Sequence, residues 1–207
     1  MQAARREFAS KGVDAARVED IAKAAGFSKA AFYLYFENKE ALYAQLVTGL
    51  FQKMEAISAE RHAQAAHLVE QIGAVSESDW RTGSERWRAF HQLDHRHTVA
   101  ALQVLWNERD IVACILDHAT GPRRTIIDTF IDWTKTTLSG RLREAMQFGV
   151  VRADVDRDLA SEIIVGIYLQ IGRRMVRLSE PPDFDHWARV LDAFISEGMG
   201  CKSKESV

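Results

Sequence analysis

Residues 18–42, Val-Glu-Asp-Ile-Ala-Lys-Ala-Ala-Gly-Phe-Ser-Lys-Ala-Ala-Phe-Tyr-Leu-Tyr-Phe-Glu-Asn-Lys-Glu-Ala-Leu, read as two short helices joined by a glycine turn, with a third helix starting behind them. That is the pattern of a helix-turn-helix, which offers its second helix to a DNA major groove. Val18, Ile21, Ala22 and Ala25 recur at helical spacing and give the first helix one apolar stripe. Gly26 then supplies the backbone freedom to end it and turn. Ser28 stands where its side-chain oxygen can cap the next helix. That helix is predicted to be about two turns long, too short to persist alone, so Phe32 and Phe36 at i, i+4 must pin it to its neighbours.

The same stretch resembles the amino-terminal DNA-binding domain of TetR-family transcriptional regulators. The likeness begins at Ala3-Ala4 and Phe8, passes through Lys11-Gly12-Val13 and runs to Ala41-Leu42-Tyr43, about a quarter of the chain. The resemblance implies that Lys29 and Ala30 meet base edges and that Leu34 lies against a thymine methyl. It likewise implies that Tyr33, Tyr35 and Lys39 contact phosphates. The family commonly has Thr or Ser where this chain has Arg17, which can grip phosphate but cannot cap a helix, leaving that start to Asp20 or water. The family also often carries a further helical turn and a basic arm upstream. Here the numbering starts at Met1, so either it begins at a late start or the arm is absent.

The 207 residues suffice for a reading head of roughly 50 residues and a second domain with its own core. No run of about 18 uncharged apolar residues occurs, and Arg5-Arg6-Glu7 interrupts any leader-like segment, so a cytoplasmic protein without a membrane partner is expected. Cys114 and Cys201 lack metal-type spacing and are expected as reduced thiols. The net charge of −2 divides into about +1 for residues 1–50 and −3 for the remainder. DNA affinity therefore has to come from a few placed cations, Arg17, Lys29 and Lys39 among them, doubled by a dimer, rather than from a strong general field.

Beyond Leu42 only helical periodicity is visible. A lever helix is predicted from about Lys39 to His62, then loops around Trp80 through Ser84. Helices are expected from Ser84, from His97 to His118, from Pro122 to Phe148 with Gly149 as its stop, from Asp154 to Leu178 and from Phe184 to Gly198. The expected organisation is a helix-turn-helix domain at 1–45, a helical effector-binding and dimerisation domain at 46–200, and a frayed tail at 201–207.

The helix pair around residues 149–156 looks like the family's dimerisation unit, in which two pairs form a four-helix bundle. Leu159, Ile163, Ile167 and Ile171 form a stripe broader than one flanking helix needs, and Gly166 and Gly172 suit close helix approach. The alternative reading makes that stripe plain monomer core. Five Trp follow residue 79, and Phe90, Leu105, Trp106, Phe130, Trp133 and Phe148 could wall an apolar small-molecule pocket oriented by His91, Asp94 or Asn107, or could be core. His91 and His95 at i, i+4 could share a metal with Asp94 or His97, but no cysteine pair or second cluster accompanies them, so no metal or cofactor is assigned.

The fold expected is all-α. The expected function is a homodimeric, DNA-binding repressor that reads an inverted-repeat operator and is released by a small-molecule effector. A helical-bundle enzyme is the alternative from another class. It lacks support because no Glu is followed three residues later by His and no nucleophile elbow, P-loop or dinucleotide fingerprint occurs. A constitutive DNA binder without ligand is the second alternative.

Overall fold

The apolar positions of the first fifty residues are satisfied by four helices packed around Phe8 and Tyr43. The structure is a computed structural model that describes residues 1–116, 122–147 and 151–199, so Phe148, Gly149 and the 201–207 tail lie outside the described residues. Helix α1 (Gln2–Ala15) buries Ala4 and Phe8, kinks at Gly12, whose φ of 74° suits glycine, and then buries Val13. Helix α2 (Val18–Ala24) begins at Arg17, which makes no side-chain cap. Asp20 does not replace the cap; its carboxylate takes a 3.0 Å hydrogen bond from Lys11.

The turn at Gly26 (φ 78°) leads to α3 (Lys29–Tyr33), capped by Ser28, whose Oγ accepts from the Ala31 amide at 3.1 Å. Regular helix lasts only these five residues, shorter than expected. Tight turns carry the chain on, with the Tyr35 and Phe36 amides both donating to the Phe32 carbonyl at 3.0 Å. Buried Phe32 and half-buried Phe36, ring centroids 5.3 Å apart, hold this segment to the head as their spacing requires.

Helix α4 (Lys39–Ile72) is capped by Asn38 and runs 34 residues, about 50 Å. It extends ten residues past the expected end at His62, because the Ala-, Gln- and Glu-rich stretch before Gly73 contains no breaker. The expected loop near Trp80 holds instead a short helix, α5 (Glu77–Thr82), started by a reciprocal capping box between Ser76 and Asp79. The hydrogen bonds from Ser76 hold the Asp79 carboxyl well below its ordinary range. Helix α6 (Glu85–Asn107) passes through His97 without the predicted break. The chain breaks at Glu108 instead, before α7 (Arg109–Leu116). Helices α8 (Pro122–Gln147), α9 (Arg157–Val176) and α10 (Phe184–Met199) follow near the expected boundaries.

One continuous core joins the reading head to the body. It runs from Ala4, Phe8, Ile21 and Phe32 through Tyr43, Val47 and Leu50 to Leu102, Trp106, Ile111, Met175 and Leu191. Helix α4 passes unbroken through residues 45 and 46, so head and body share a helix as well as a core. A smaller cluster, Leu142, Val151 and Ala160, closes the far end between α8 and α9. No helix among the described residues is long and apolar enough to cross a membrane.

Candidate nucleic-acid interface and effector cavity

Burial of Phe32 on one side of α3 turns the opposite side to solvent. Leu34 is 81% exposed and Tyr35 77%, with Phe27, Tyr33, Lys29 and Ala30 exposed beside them. Large apolar and aromatic groups left in water on a rigid, capped segment suit contact with bases and sugars. Two cations of this face, Lys29 and Lys39, are already engaged. Lys29 donates to Glu19 of α2, and that hydrogen bond raises the lysine pKa and lowers that of Glu19. Lys39 sends its ammonium back to the carbonyls of Asp14 (2.6 Å) and Ala16 (3.3 Å), closing the end of α1. Its side chain therefore ties helices together in the free protein, and only rearrangement would release it to a phosphate. Arg17 is exposed beside them, and Ser28 serves as the cap.

Head and body are fastened by charges that the sequence pattern did not single out. Glu108, buried at the α6–α7 break, pairs with Arg5 of α1 and with Lys53 of α4, and Arg5 also lies 3.8 Å from Asp110. Arg123 near the start of α8 donates to both carboxylate oxygens of Asp14 on α1 at 2.8 and 2.9 Å. That hydrogen bond is the main cause of a lowered Asp14 pKa. In sequence Glu108 is one of three consecutive charges, Glu108-Arg109-Asp110, and nothing there singles it out as the buried one.

Inside the body, residues of α4 and of α6 to α10, with Trp80 of α5, line a partly open, mostly apolar cavity of about 480 Å³. Phe51 and Phe130 stack at 3.5 Å with nearly parallel rings, Phe130 leads to Trp133 at 5.8 Å, and Trp87 leads to His91 at 5.6 Å. Of the residues expected to form a pocket, His91, Asp94, Leu105, Phe130 and Trp133 line this cavity. Phe90, Trp106 and Asn107 are not among its lining residues, and Phe148 lies outside the described residues. Trp106 sits in the shared core with the Arg109 guanidinium 4.2 Å from its ring centroid, and Asn107 is exposed at the end of α6. Phe51, Arg61 and Arg141 line the cavity but were missed. Arg141 interrupts the apolar positions Leu138, Leu142 and Ala145 of α8, which marks it in retrospect.

The histidines do not converge on a metal. His95 is held by both ring nitrogens between Asp185 and Asp192 of α10, each at 2.8 Å, while His91 faces Trp87. Among the described residues no group of three or more His, Cys, Asp or Glu could hold an ion.

The stripe expected to pair two subunits divides between two faces. Leu159 (55% exposed) and Ile163 (52%) point outward, with open space around Gly166. Ile167 and Ile171 pack against the chain's own core, because α9 turns that side toward α7. Gly172 is likewise an internal contact; a Cβ there would meet Val112 Cγ1 at 3.0 Å. On α10, Val190 (56%) and Phe194 (66%) are also outward and apolar, and on α8 Trp133 is 38% exposed.

Residues 1–46 match the family described as bacterial regulatory proteins, tetR family. An uncharacterized HTH-type transcriptional regulator of Bacillus subtilis strain 168, YdgC, is 40% identical over 58 residues, 28% of this chain and 30% of that protein's length. The whole fold resembles the TetR family transcriptional regulator PfmR from Thermus thermophilus, with TM-score 0.68 and 22% identity over 97% of each chain. It also resembles the regulator FadR from Bacillus subtilis, solved in complex with stearoyl-CoA, with TM-score 0.68 and 18% identity over 96% of each chain.

Proposed function

The chain belongs to the TetR family of bacterial regulatory proteins, and from that premise we propose that it works as a homodimeric repressor whose paired heads read an inverted repeat and whose body releases them on binding a small molecule. The observation that carries the reading is the capped α3 segment, which presents Lys29, Ala30, Tyr33, Leu34 and Tyr35 outward from a core continuous with the cavity-bearing body. Leu159, Ile163, Val190 and Phe194 supply the apolar face that two-fold pairing would cover. Such a dimer presents two α3 segments at fixed spacing, which is what half-sites separated by whole turns of DNA require.

Effector and operator compete through the helix and core they share. A ligand that prefers a state with the heads at another spacing weakens operator binding by its differential affinity, and DNA weakens ligand binding by the same factor. Footprinting with the parent and Lys29→Ala tests the DNA half. The parent should protect a symmetric site, and the variant should lose about 1–3 kcal/mol there with altered base preference. Protection that is asymmetric, or unchanged in the variant, would remove α3 as the reader.

A further inference from the structure

We propose that the body cavity takes an amphipathic monoanion, an apolar molecule ending in one carboxylate, with Arg141 of α8 holding the carboxylate and Arg61 of α4 set beside it. This deepens the reading of the body as an effector domain and rests on it.

The hydrogen-bond partners of the charged groups lining the cavity lead to this class. Arg61 is neutralised by Asp94, which accepts from its Nε at 2.7 Å. Asp192 is satisfied by His95 and by the Thr98 hydroxyl at 2.8 Å. Burial keeps the His97 pKa low, favouring the neutral ring, and pushes the Tyr168 phenol up to about 12, leaving a neutral hydroxyl. Arg141 remains. Its guanidinium donates to the Ser58 carbonyl at 2.9 Å and to the Ser58 hydroxyl, both neutral, and among the described residues no carboxylate lies within ion-pair distance of it. Burial, with the nearby Arg61 charge, lowers its pKa, whereas Glu144 one turn along is exposed to water and Asp94 belongs to Arg61.

A half-buried cation without a paired anion is costly to retain in an apolar cavity, and a planar guanidinium with unused donors matches a carboxylate. A single guanidinium without a carboxylate partner offers one docking point for one carboxylate. The rest of the wall is apolar, with the Phe51–Phe130 stack suited to a hydrocarbon or ring body. The volume of about 480 Å³ fits a molecule of that size.

The test is calorimetric titration of the full chain, without DNA, with decanoate, decan-1-ol and decylamine below their aggregation concentrations. Decanoate should bind about 10- to 100-fold more tightly than the alcohol, as a charge-assisted hydrogen bond in a low-dielectric site requires, and the amine should bind worst. In Arg141→Met the acid and alcohol should bind alike, while the unliganded melting temperature stays level or rises because an unpaired buried cation has been removed. Equal binding of acid and alcohol by the parent, no decanoate binding, or a preference that survives in folded Arg141→Met would each overturn the assignment. If the variant does not fold, the parental comparison alone decides. Operator release is measured separately. A decanoate preference without release keeps the cavity assignment and removes the effector role, whereas loss of operator recognition by the parent removes the regulator reading and leaves the titration standing.

Discussion

Replacing Glu108 with Gln should loosen the reading head from the body without touching either the DNA face or the cavity lining. The Glu108 side chain is only 5% exposed and faces two cations. Arg5 is 22% exposed and Lys53 55%. Removing one partner of a buried pair typically costs about 3–5 kcal/mol, because the other charge stays buried unpaired. Lys53 escapes most of that penalty by swinging into water, and Arg5 keeps Asp110 at 3.8 Å. Discounting for these two leaves about 2–4 kcal/mol. In a chain of this length that is a loss in Tm on the order of 5–15 °C. Thermal melts of parent, Glu108→Gln, Arg5→Met and the double variant check it. The double variant should recover much of the loss, since it no longer buries an unpaired guanidinium. If Glu108→Gln melted within about 2 °C of the parent, or if the two changes were simply additive, the charge tie would not be what fastens head to body. The same tie lies between cavity and DNA face, so the folded single variant should also show weaker coupling between effector and operator than the usual range of about 1–3 kcal/mol.

Three other outcomes are expected. Glu19→Gln should strengthen operator binding by up to about fivefold, because Lys29 no longer has to leave an exposed ion pair to reach a base; equal affinity by gel shift would mean Lys29 is free in practice. Ile163→Lys or Phe194→Asp should shift a dimer to monomer in sedimentation while leaving the melt of the monomer nearly unchanged, whereas Ile167→Lys should unfold the body; a persistent dimer in both outward variants would place the interface elsewhere. Asp14 has a lowered carboxyl pKa, chiefly from the Arg123 hydrogen bond, so its tie to α8 should contribute stability above the ordinary value of 3.8 and lose it as pH falls through the lower folded value. Arg123→Met should therefore lower the melting temperature at about pH 6 and converge on the parent as pH falls well below 3.8; a difference independent of pH would show that Arg123 acts by packing alone.

How much of this was legible depended on whether the deciding interaction was local. Ser28 could be read as a cap because the group it satisfies lies three residues away, and Phe32 as a pin because its neighbour lies one helical turn on. The capping box of α5 is equally local, yet its Ser, Glu and Asp also have loop composition, and composition concealed it. The cavity was half visible. Aromatic residues announce a lining but not which side of a helix meets it, so Phe130 and Trp133 were placed there along with Trp106, which belongs to the core. Periodicity fails most where two apolar partners compete for one helix. The α9 pattern from Leu159 to Ile171 is continuous in sequence, and nothing in its spacing separates a face turned to a second subunit from one turned to α7. The glycines carry the same ambiguity and resolve it in three dimensions. Gly166 has open space where a Cβ would stand, as an uncovered outer face does, whereas at Gly172 Val112 Cγ1 would lie 3.0 Å from that Cβ. The close approach read as contact between subunits is thus, at Gly172, contact within one chain.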